Sequence, residues 1–389
     1  MDYRAPKNWT YPVPIAYGPG RLAEIAVLCH RAGMTRPLIV TDRGSAALPF
    51  IAALCERLAD AGLVSGIYSG ISPNPRDDEI AAGCEAFGGN GHDGIIAIGG
   101  GSGMDGAKAI GLTVKSGVPL WEFDYERPAL DVSAEVFPPL ITIPTTAGTG
   151  AETESTAMIT DTGQGMKFCV WHPAYKPAST LLDPDLTVGL PPDLTAWTGC
   201  DALVHAIEAY CVPGFHPLCD GAALEGMRLI WRWLEVAVDA PGNLDARGGM
   251  LVGSCLAGIA FLKGLGMVHA ISHMIGAEYD TQHGLTNAVL LPAVLRFNAP
   301  AIADRIEPMA QAMGLRDTGF DAVYAEICGR LDRLQIPRGL AGIGVTATDA
   351  DIARLAAKAL RDSAAGTNPR QATEAEVRAL LSAAMTDAR

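Results

Sequence analysis

The sequence predicts two domains of different class, an α/β domain over residues 1–188 and an all-α domain over 189–389. Three observations predict them. Short β-branched runs alternate with Ala-rich helical stretches through the first half. A segment rich in Pro, Gly and Asp follows at 182–193, and the patterning beyond it is helical throughout. Candidate strands are 38–41, 65–69, 94–98, 140–144 and 158–161, with a helix over 45–62 between the first two. Strands alternating with helices are joined by crossovers, which makes neighbouring strands parallel and covers both faces of their sheet. In the second half, helices are read over 193–210, 219–238 and 248–262, with Asp193 as the cap of the first. No internal repeat or low-complexity tract interrupts either half.

Composition narrows the function classes. A chain of 389 residues that is 49% hydrophobic can bury two substantial cores. Its 29 basic and 43 acidic residues give a net charge of −14, which opposes binding to nucleic acid or to an anionic membrane. The N-terminal residues lack a charged-then-apolar signal pattern. The longest largely apolar stretch, 250–262, is too short to span a bilayer and reads as a buried helix. Nine cysteines, odd in number and without a Cys-x-x-Cys pair, argue against a disulfide framework and for a reducing cytoplasm.

The chemistry concentrates in two helical segments. Asp201 and His205 stand four residues apart, as do His269 and His273, and His283 follows. Residues at i and i+4 project from one face of a helix, so each pair converges. A catalytic divalent metal takes three or four protein ligands and leaves a position open, so one of the five candidates is left outside the ligand set. Singly, each histidine reads as a core or capping residue. Together on apolar helices they read as a metal site, because several buried titratable groups without a partner are costly.

Two loops in the first half suit a dinucleotide. The apolar run 95–98 passes through Gly99, Gly100 and Gly101 into a helix, where missing side chains and a helix N-terminus favour a pyrophosphate. The spacing is not Gly-x-Gly-x-x-Gly, and the turn follows a later strand than the first. The second loop, 142–152, is rich in Thr and Gly and again ends a strand. Each alone reads as an ordinary turn. Two at strand ends favour a cofactor site, since ligands of open α/β sheets lie beyond the carboxyl ends of strands.

These residues resemble the iron-containing (group III) alcohol dehydrogenases, a family similar to glycerol dehydrogenase and dehydroquinate synthase. The resemblance runs end to end. It is carried by Gly99-Gly-Gly-Ser-x-x-Asp, Pro144-Thr-Thr-Ala-Gly-Thr-Gly-Ala-Glu, Asp201-Ala-Leu-Val-His-Ala-Ile-Glu-Ala-Tyr, Val268-His-Ala-Ile-Ser-His, His283-Gly-Leu-Thr-Asn-Ala-Val-Leu-Leu-Pro and Asn368-Pro-Arg. It implies a Rossmann-like N-terminal domain and a helical, metal-binding C-terminal domain, the dehydroquinate synthase-like architecture. It further implies Asp201, His205, His269 and His283 as ligands of Fe2+, with Zn2+ as the alternative, and His273 unligated near the nicotinamide. The dinucleotide contacts it implies are Asp42, Gly100, Gly101, Ser102, Asp105, Thr145, Thr146 and Lys167. A carboxylate at Asp42 accepts from ribose hydroxyls and repels a 2′-phosphate, which favours NAD over NADP. The family commonly has proline where this chain has Gly103 and Met274. The first change loosens the phosphate turn and the second reshapes the substrate pocket, while neither removes a ligand.

The activity expected is hydride transfer between NAD and a small alcohol or aldehyde, with the metal acting as a Lewis acid on the substrate oxygen and His273 passing the proton toward solvent. The expected partners are that small molecule and further copies of the chain, with neither nucleic acid nor membrane. Two alternatives stand beside this reading: a non-redox lyase on the same scaffold, and a metal-dependent hydrolase, which leaves both glycine loops without a purpose. Lys263, six residues before His269 in an apolar, glycine-broken segment, is read either as snorkelling to the surface or as a cation directed toward an anionic group on the substrate.

Overall fold

The structure, a computed structural model, describes residues 7–9 and 13–389. The chain divides into two compact units: Met1–Thr146, Ala151–Leu190 and Gly242–Leu251 form the first, and Ala147–Gly150, Pro191–Pro241 and Val252–Arg389 the second.

The first unit is built on strands β1 (Lys7–Trp9), β2 (Ile15–Tyr17), β3 (Pro37–Asp42), β4 (Gly66–Ile71), β5 (Gly94–Gly99), β6 (Leu140–Pro144), β7 (Thr156–Asp161), β8 (Met166–Trp171) and β9 (Ser179–Leu182). Its helices are α1 (Ile25–Arg31), α2 (Pro49–Asp60), α3 (Asp77–Gly89) and α4 (Gly101–Thr113). Seven strands form one sheet in the order β1-β2-β9-β6-β5-β3-β4, parallel except at the β1–β2 edge. Alternate side chains of a strand face opposite sides, and the two cores follow from that. Leu38, Val40, Ile95, Ala97 and Leu140 pack with Ile80 and Phe87 of α3 and Met104 and Ile110 of α4. Ile39, Ile96, Ile98, Ile141 and Ile143 pack with Leu28 of α1 and Leu54 and Leu58 of α2.

The candidate strands at 38–41, 94–98 and 140–144 lie within β3, β5 and β6, and the one at 65–69 overlaps β4, which begins one residue later and runs two residues further. The strand expected at 158–161 exists as part of β7, but in a separate antiparallel hairpin with β8. Asp161 Oδ1 accepts from Gly163 N and Gln164 N at 2.8 and 2.9 Å, an Asx turn that reverses the chain. Helix α2 begins at Pro49, later than the expected 45, because proline occupies its first turn and Ser45 is held back by Asp42.

The second unit is helical and, among the described residues, holds no strand. It comprises α5 (Pro192–Cys211), α6 (Pro217–Asp239), most of α7 (Leu244–Ala260), α8 (Met267–Tyr279), α9 (His283–Asn298), α10 (Ala303–Ala312), α11 (Phe320–Arg333), α12 (Asp349–Ala359), α13 (Ser363–Thr367) and α14 (Glu374–Ala384). Asp193 does not cap α5. Pro191 takes that position, Pro192 opens the helix, and Asp193 lies in the first turn with its carboxylate on Leu194 N at 2.8 Å. A first-turn carboxylate still complements the positive end of the helix. Helix α5 is buried on nearly every side, from Thr195 to Cys211 with Trp197 excepted, which makes it the axis of this unit. The segment Leu244–Lys263 is long and apolar enough to cross a membrane, but it is mostly buried within the protein, as a core helix is.

Candidate active site

Three helices of the second unit supply the metal-type side chains. Asp201 and His205 lie one turn apart on α5, His269 and His273 one turn apart on α8, and His283 opens α9. Asp280, in the left-handed conformation at φ 51°, terminates α8 and turns the chain into α9 within three residues. Gly284 permits the closest approach: a Cβ there would lie 2.4 Å from Trp197 O and 2.9 Å from Asp201 Cβ. The bare backbone thus sets the first turn of α9 against α5, and His283 arrives beside Asp201.

One donor atom from each of Asp201, His205, His269 and His283 lies within 4.8 Å of the other three. Asp201 Oδ1 is 3.7 Å from His283 Nε2 and 3.9 Å from His269 Nε2, and the His205 and His269 rings stack at 4.5 Å. Such a set closes onto a cation bonded at about 2.0–2.2 Å with small side-chain adjustments.

The remaining ring nitrogens fix the orientation. His205 Nδ1 lies 3.3 Å from Gly148 O, and His269 Nδ1 lies 2.6 Å from Glu208 Oε2. Each contact takes the Nδ1 proton and leaves Nε2 as the lone-pair atom. Burial pushes His205 well below the ordinary histidine pKa, and the neighbouring His269 adds to the depression, so His205 is a neutral imidazole, the ligating form. Burial acts the same way on His269, but the hydrogen bond and charge of Glu208, with Asp201 and Asp362, outweigh it and hold its pKa above the ordinary value.

Asn287, fully buried one turn after His283, tests whether these lone pairs converge. Its Nδ2 donates to Asp201 Oδ1 at 2.7 Å and lies 3.1 Å from both His269 Nε2 and His283 Nε2, while its Oδ1 has no hydrogen-bond partner. Three acceptors therefore face one point, beside an orphaned buried carbonyl. Three imidazole nitrogens and one carboxylate oxygen arranged this way fit a divalent first-row metal.

His273 is the fifth candidate and stands outside the four. Its ring stacks on His283 at 5.4 Å, and its Nδ1 lies 2.8 Å from Asp362 Oδ2. Sequence reasoning assigned no role to Glu208, Asn287 or Asp362. Glu208 and Asn287 had a signal, being three residues after His205 and four after His283 on the same helix faces. Asp362 had none, 89 residues from His273. Lys263 neither reaches the surface nor stands free for a substrate: its ammonium is buried against Asp220 Oδ1 at 2.6 Å, and Asp220 also receives Arg305 at 3.2 Å. The ammonium is thus committed to a buried ion pair. Met274 is a buried side chain of α8.

The first unit carries the dinucleotide-type residues. The chain runs from β3 through β4 and returns to β5 on the other side of β3, so the strand order reverses between β3 and β5. That switch point is where open α/β sheets hold ligands. Asp42 ends β3, Gly99 ends β5, Gly100 and Gly101 open α4, and Thr145 and Thr146 follow β6. Gly99 has φ 143°, and a Cβ there would meet Asp42 Oδ2 at 2.8 Å. The hydroxyls of Thr41 and Thr146 are buried without a partner beside this bare turn, 3.3 and 3.7 Å from where the Cβ atoms of Gly99 and Gly100 would stand. Orphaned hydroxyls, side-chain-free backbone and the N-terminus of a 13-residue helix fit a phosphate-bearing ligand.

Asp42 is held by Ser45, which donates from N to Oδ1 at 2.9 Å and from Oγ to Oδ2 at 2.8 Å. Gly103 belongs to the first turn of α4, where a Cβ would lie 3.2 Å from Asp42 N. Ser102 Oγ donates to Pro73 O at 2.6 Å. Asp105 accepts from Met158 N at 3.1 Å, a contact to the β7–β8 hairpin, and Lys167 is a buried residue of β8. The structure thus gathers Asp42, Gly100, Gly101, Thr145 and Thr146 at the strand ends, and engages Ser102 and Asp105 in contacts of their own.

Comparison with known proteins covers both halves of the chain. Residues 12–184 match the iron-containing alcohol dehydrogenase profile, and residues 195–385 match that of the C-terminal region of the Fe-containing alcohol dehydrogenase family. The chain is 36% identical over 392 residues to 1,3-propanediol dehydrogenase of Klebsiella pneumoniae, covering 98% of this chain and 99% of that protein. It is 34% identical over 389 residues to NAD-dependent methanol dehydrogenase of Bacillus methanolicus, covering 97% and 100%. Among solved structures, a 1,3-propanediol oxidoreductase superposes with a TM-score of 0.88 at 34% identity, over 95% of this chain and 97% of that one. The chain belongs to the iron-containing alcohol dehydrogenase family. It is accordingly an oxidoreductase that transfers a hydride between NAD and small alcohols or aldehydes, with iron as the metal of its class.

Proposed function

We propose that Asp201, His205, His269 and His283 hold the catalytic metal, that Asp42, Gly100, Gly101, Ser102, Asp105, Thr145, Thr146 and Lys167 contact NAD, and that His273 moves the substrate proton. The dinucleotide contacts fall in residues 1–188 and the metal ligands in 189–389, the two domains of this reading. The observation that carries it is the convergence of four donors from three helices, two of them oriented from behind by Gly148 and Glu208. When bound, the metal polarises the substrate oxygen and NAD exchanges the hydride. His273 would accept the alcohol proton during oxidation and return it during reduction, with Asp362 holding the ring.

The substrate class of this reading is a short-chain primary alcohol and its aldehyde, in line with the relatives named for 1,3-propanediol and methanol. The enzyme would work in the cytoplasm as a homo-oligomer, apart from nucleic acid and membrane. The test is NADH absorbance with protein stripped of metal and reloaded with ferrous iron or zinc, against a panel of methanol, ethanol, 1,3-propanediol and their aldehydes. Iron-restored turnover on a primary alcohol supports the reading. Full activity with zinc and none with iron would reverse the metal, and turnover of none of the panel would contradict the substrate class.

A further inference from the structure

We propose that Glu208 is the positioning residue of the metal centre, one carboxylate that both selects the metal-presenting tautomer of His269 and fixes the start of the helix that carries it. The inference rests on the ligand assignment above and adds a residue to it. Glu208 lies on α5 three residues after His205 and seven after Asp201, hence on the helix face that bears both. Its side chain is buried and receives three donors. Oε2 accepts from His269 Nδ1 at 2.6 Å and from Gly266 N at 3.0 Å, and Oε1 accepts from Val268 N at 2.8 Å.

A carboxylate has about four lone-pair positions, so three buried donors leave it little freedom. The two backbone donors are those of Gly266, the N-cap of α8, and Val268 in its first turn, amides that have no partner within the helix. Glu208 therefore fixes α8 along its axis, and through the imidazole it fixes the rotation of His269. Gly266 makes the approach possible, since a Cβ there would stand 2.6 Å from Glu208 Oε1. Asn368 shares the first task and not the second: its Oδ1 accepts from Met267 N at 3.0 Å and has no contact with His269 among those described. The same helix start is thus held by two side chains, of which one also holds a ligand, and this difference makes the proposal separable from a purely structural role.

The experiment measures zinc affinity by competition with a chromophoric chelator, and the visible spectrum of the cobalt-loaded protein, for wild type, Glu208→Gln, Glu208→Asp, Asn368→Ala and Asp201→Ala. Thermal melts establish that each is folded. Glu208→Gln places an amide where His269 donates and is expected to weaken zinc roughly 10–100-fold, the range for loss of a carboxylate behind a ligating histidine. It is also expected to alter the cobalt spectrum. Asn368→Ala should stay within about 3-fold of wild type with its cobalt spectrum unchanged, and Glu208→Asp should recover part of the loss. Should Glu208→Gln not fold, Glu208→Asp carries the comparison, with weaker zinc binding expected than in Asn368→Ala. Equal weakening in the Glu208 and Asn368 variants would overturn the proposal, as would wild-type zinc affinity in Glu208→Gln. Wild-type affinity in Asp201→Ala would instead overturn the ligand assignment.

Discussion

His273 Nδ1 lies 2.8 Å from Asp362 Oδ2, a buried pair joining α8 to the residue that caps α13. The contact assigns the ring proton to Nδ1 and leaves Nε2 as the nitrogen that can take up a proton. Stacked at 5.4 Å on the first residue of α9, this imidazole neighbours the four candidate ligands without belonging to them. The role proposed for it above is proton transfer at the substrate oxygen.

His273→Ala is therefore expected to retain metal and to slow turnover about 10²–10⁴-fold, the usual contribution of a positioned acid–base group. The loss should be largest at low pH in the oxidation direction, where hydroxide is too scarce to replace the imidazole. Asp362→Asn keeps an acceptor for Ala364 N and so the helix cap, but loses the charge facing His273, and a smaller loss is expected. Metal analysis beside steady-state rates decides it: loss of metal from His273→Ala would make this residue a ligand.

Cofactor choice should turn on Asp42. With Ser45 holding both carboxylate oxygens, the charge is fixed at the end of β3, where a 2′-phosphate would meet it. Asp42→Gly is expected to raise the ratio of NADP to NAD efficiency about 10-fold or more, the worth of some 1.4 kcal/mol or greater in differential binding. Arg43 is already paired with Glu79 at 2.8 Å, so the gain should come from lost repulsion more than from a new phosphate contact. Dissociation constants for NADH and NADPH measure it. A wild-type enzyme that prefers NADPH would contradict the role of Asp42.

Glu154 carries a pH dependence of stability. It is buried, its Oε2 has no partner, and burial pushes its pKa up from 4.5 to about 7 against the opposing charges of Lys108 and Lys176. An acid whose folded pKa is raised contributes stability that is complete below the unfolded pKa and is lost as pH rises through the folded one. Glu154→Gln removes the ionisation, so it should melt above wild type at pH values beyond about 7, with the advantage shrinking toward pH 4.5. The gain should be at most a few kcal/mol, a melting shift of several degrees. A melting difference independent of pH would contradict it.

The helices carrying the metal-type residues were legible because spacing of four encodes proximity on one face, as with Asp201 and His205. His283 is different: its approach to Asp201 depends on the left-handed turn at Asp280 and the missing side chain of Gly284, which nothing local in the sequence reports. Glu208 lies within the Asp201–Tyr210 motif, but its partners at the N-terminus of α8 appear only once that helix is packed. The first-unit strands with β-branched runs were legible, whereas the four-residue β9 was too short to signal itself, and the partner of β7 was set by the turn at Asp161. Lys263 failed for a related reason, since Asp220, which pairs with it, is 43 residues away.

Asp201, His205, His269 and His283 are proposed as the metal centre on which turnover depends. The most direct test is the metal content of anaerobically purified wild type, His205→Ala and His283→Ala, each with its NADH dissociation constant. The predicted result is stoichiometric metal in the wild type, loss of metal and nearly all turnover in both variants, and unchanged NADH binding, because the glycine turn lies in the other compact unit. Full metal occupancy in either variant would contradict the ligand set.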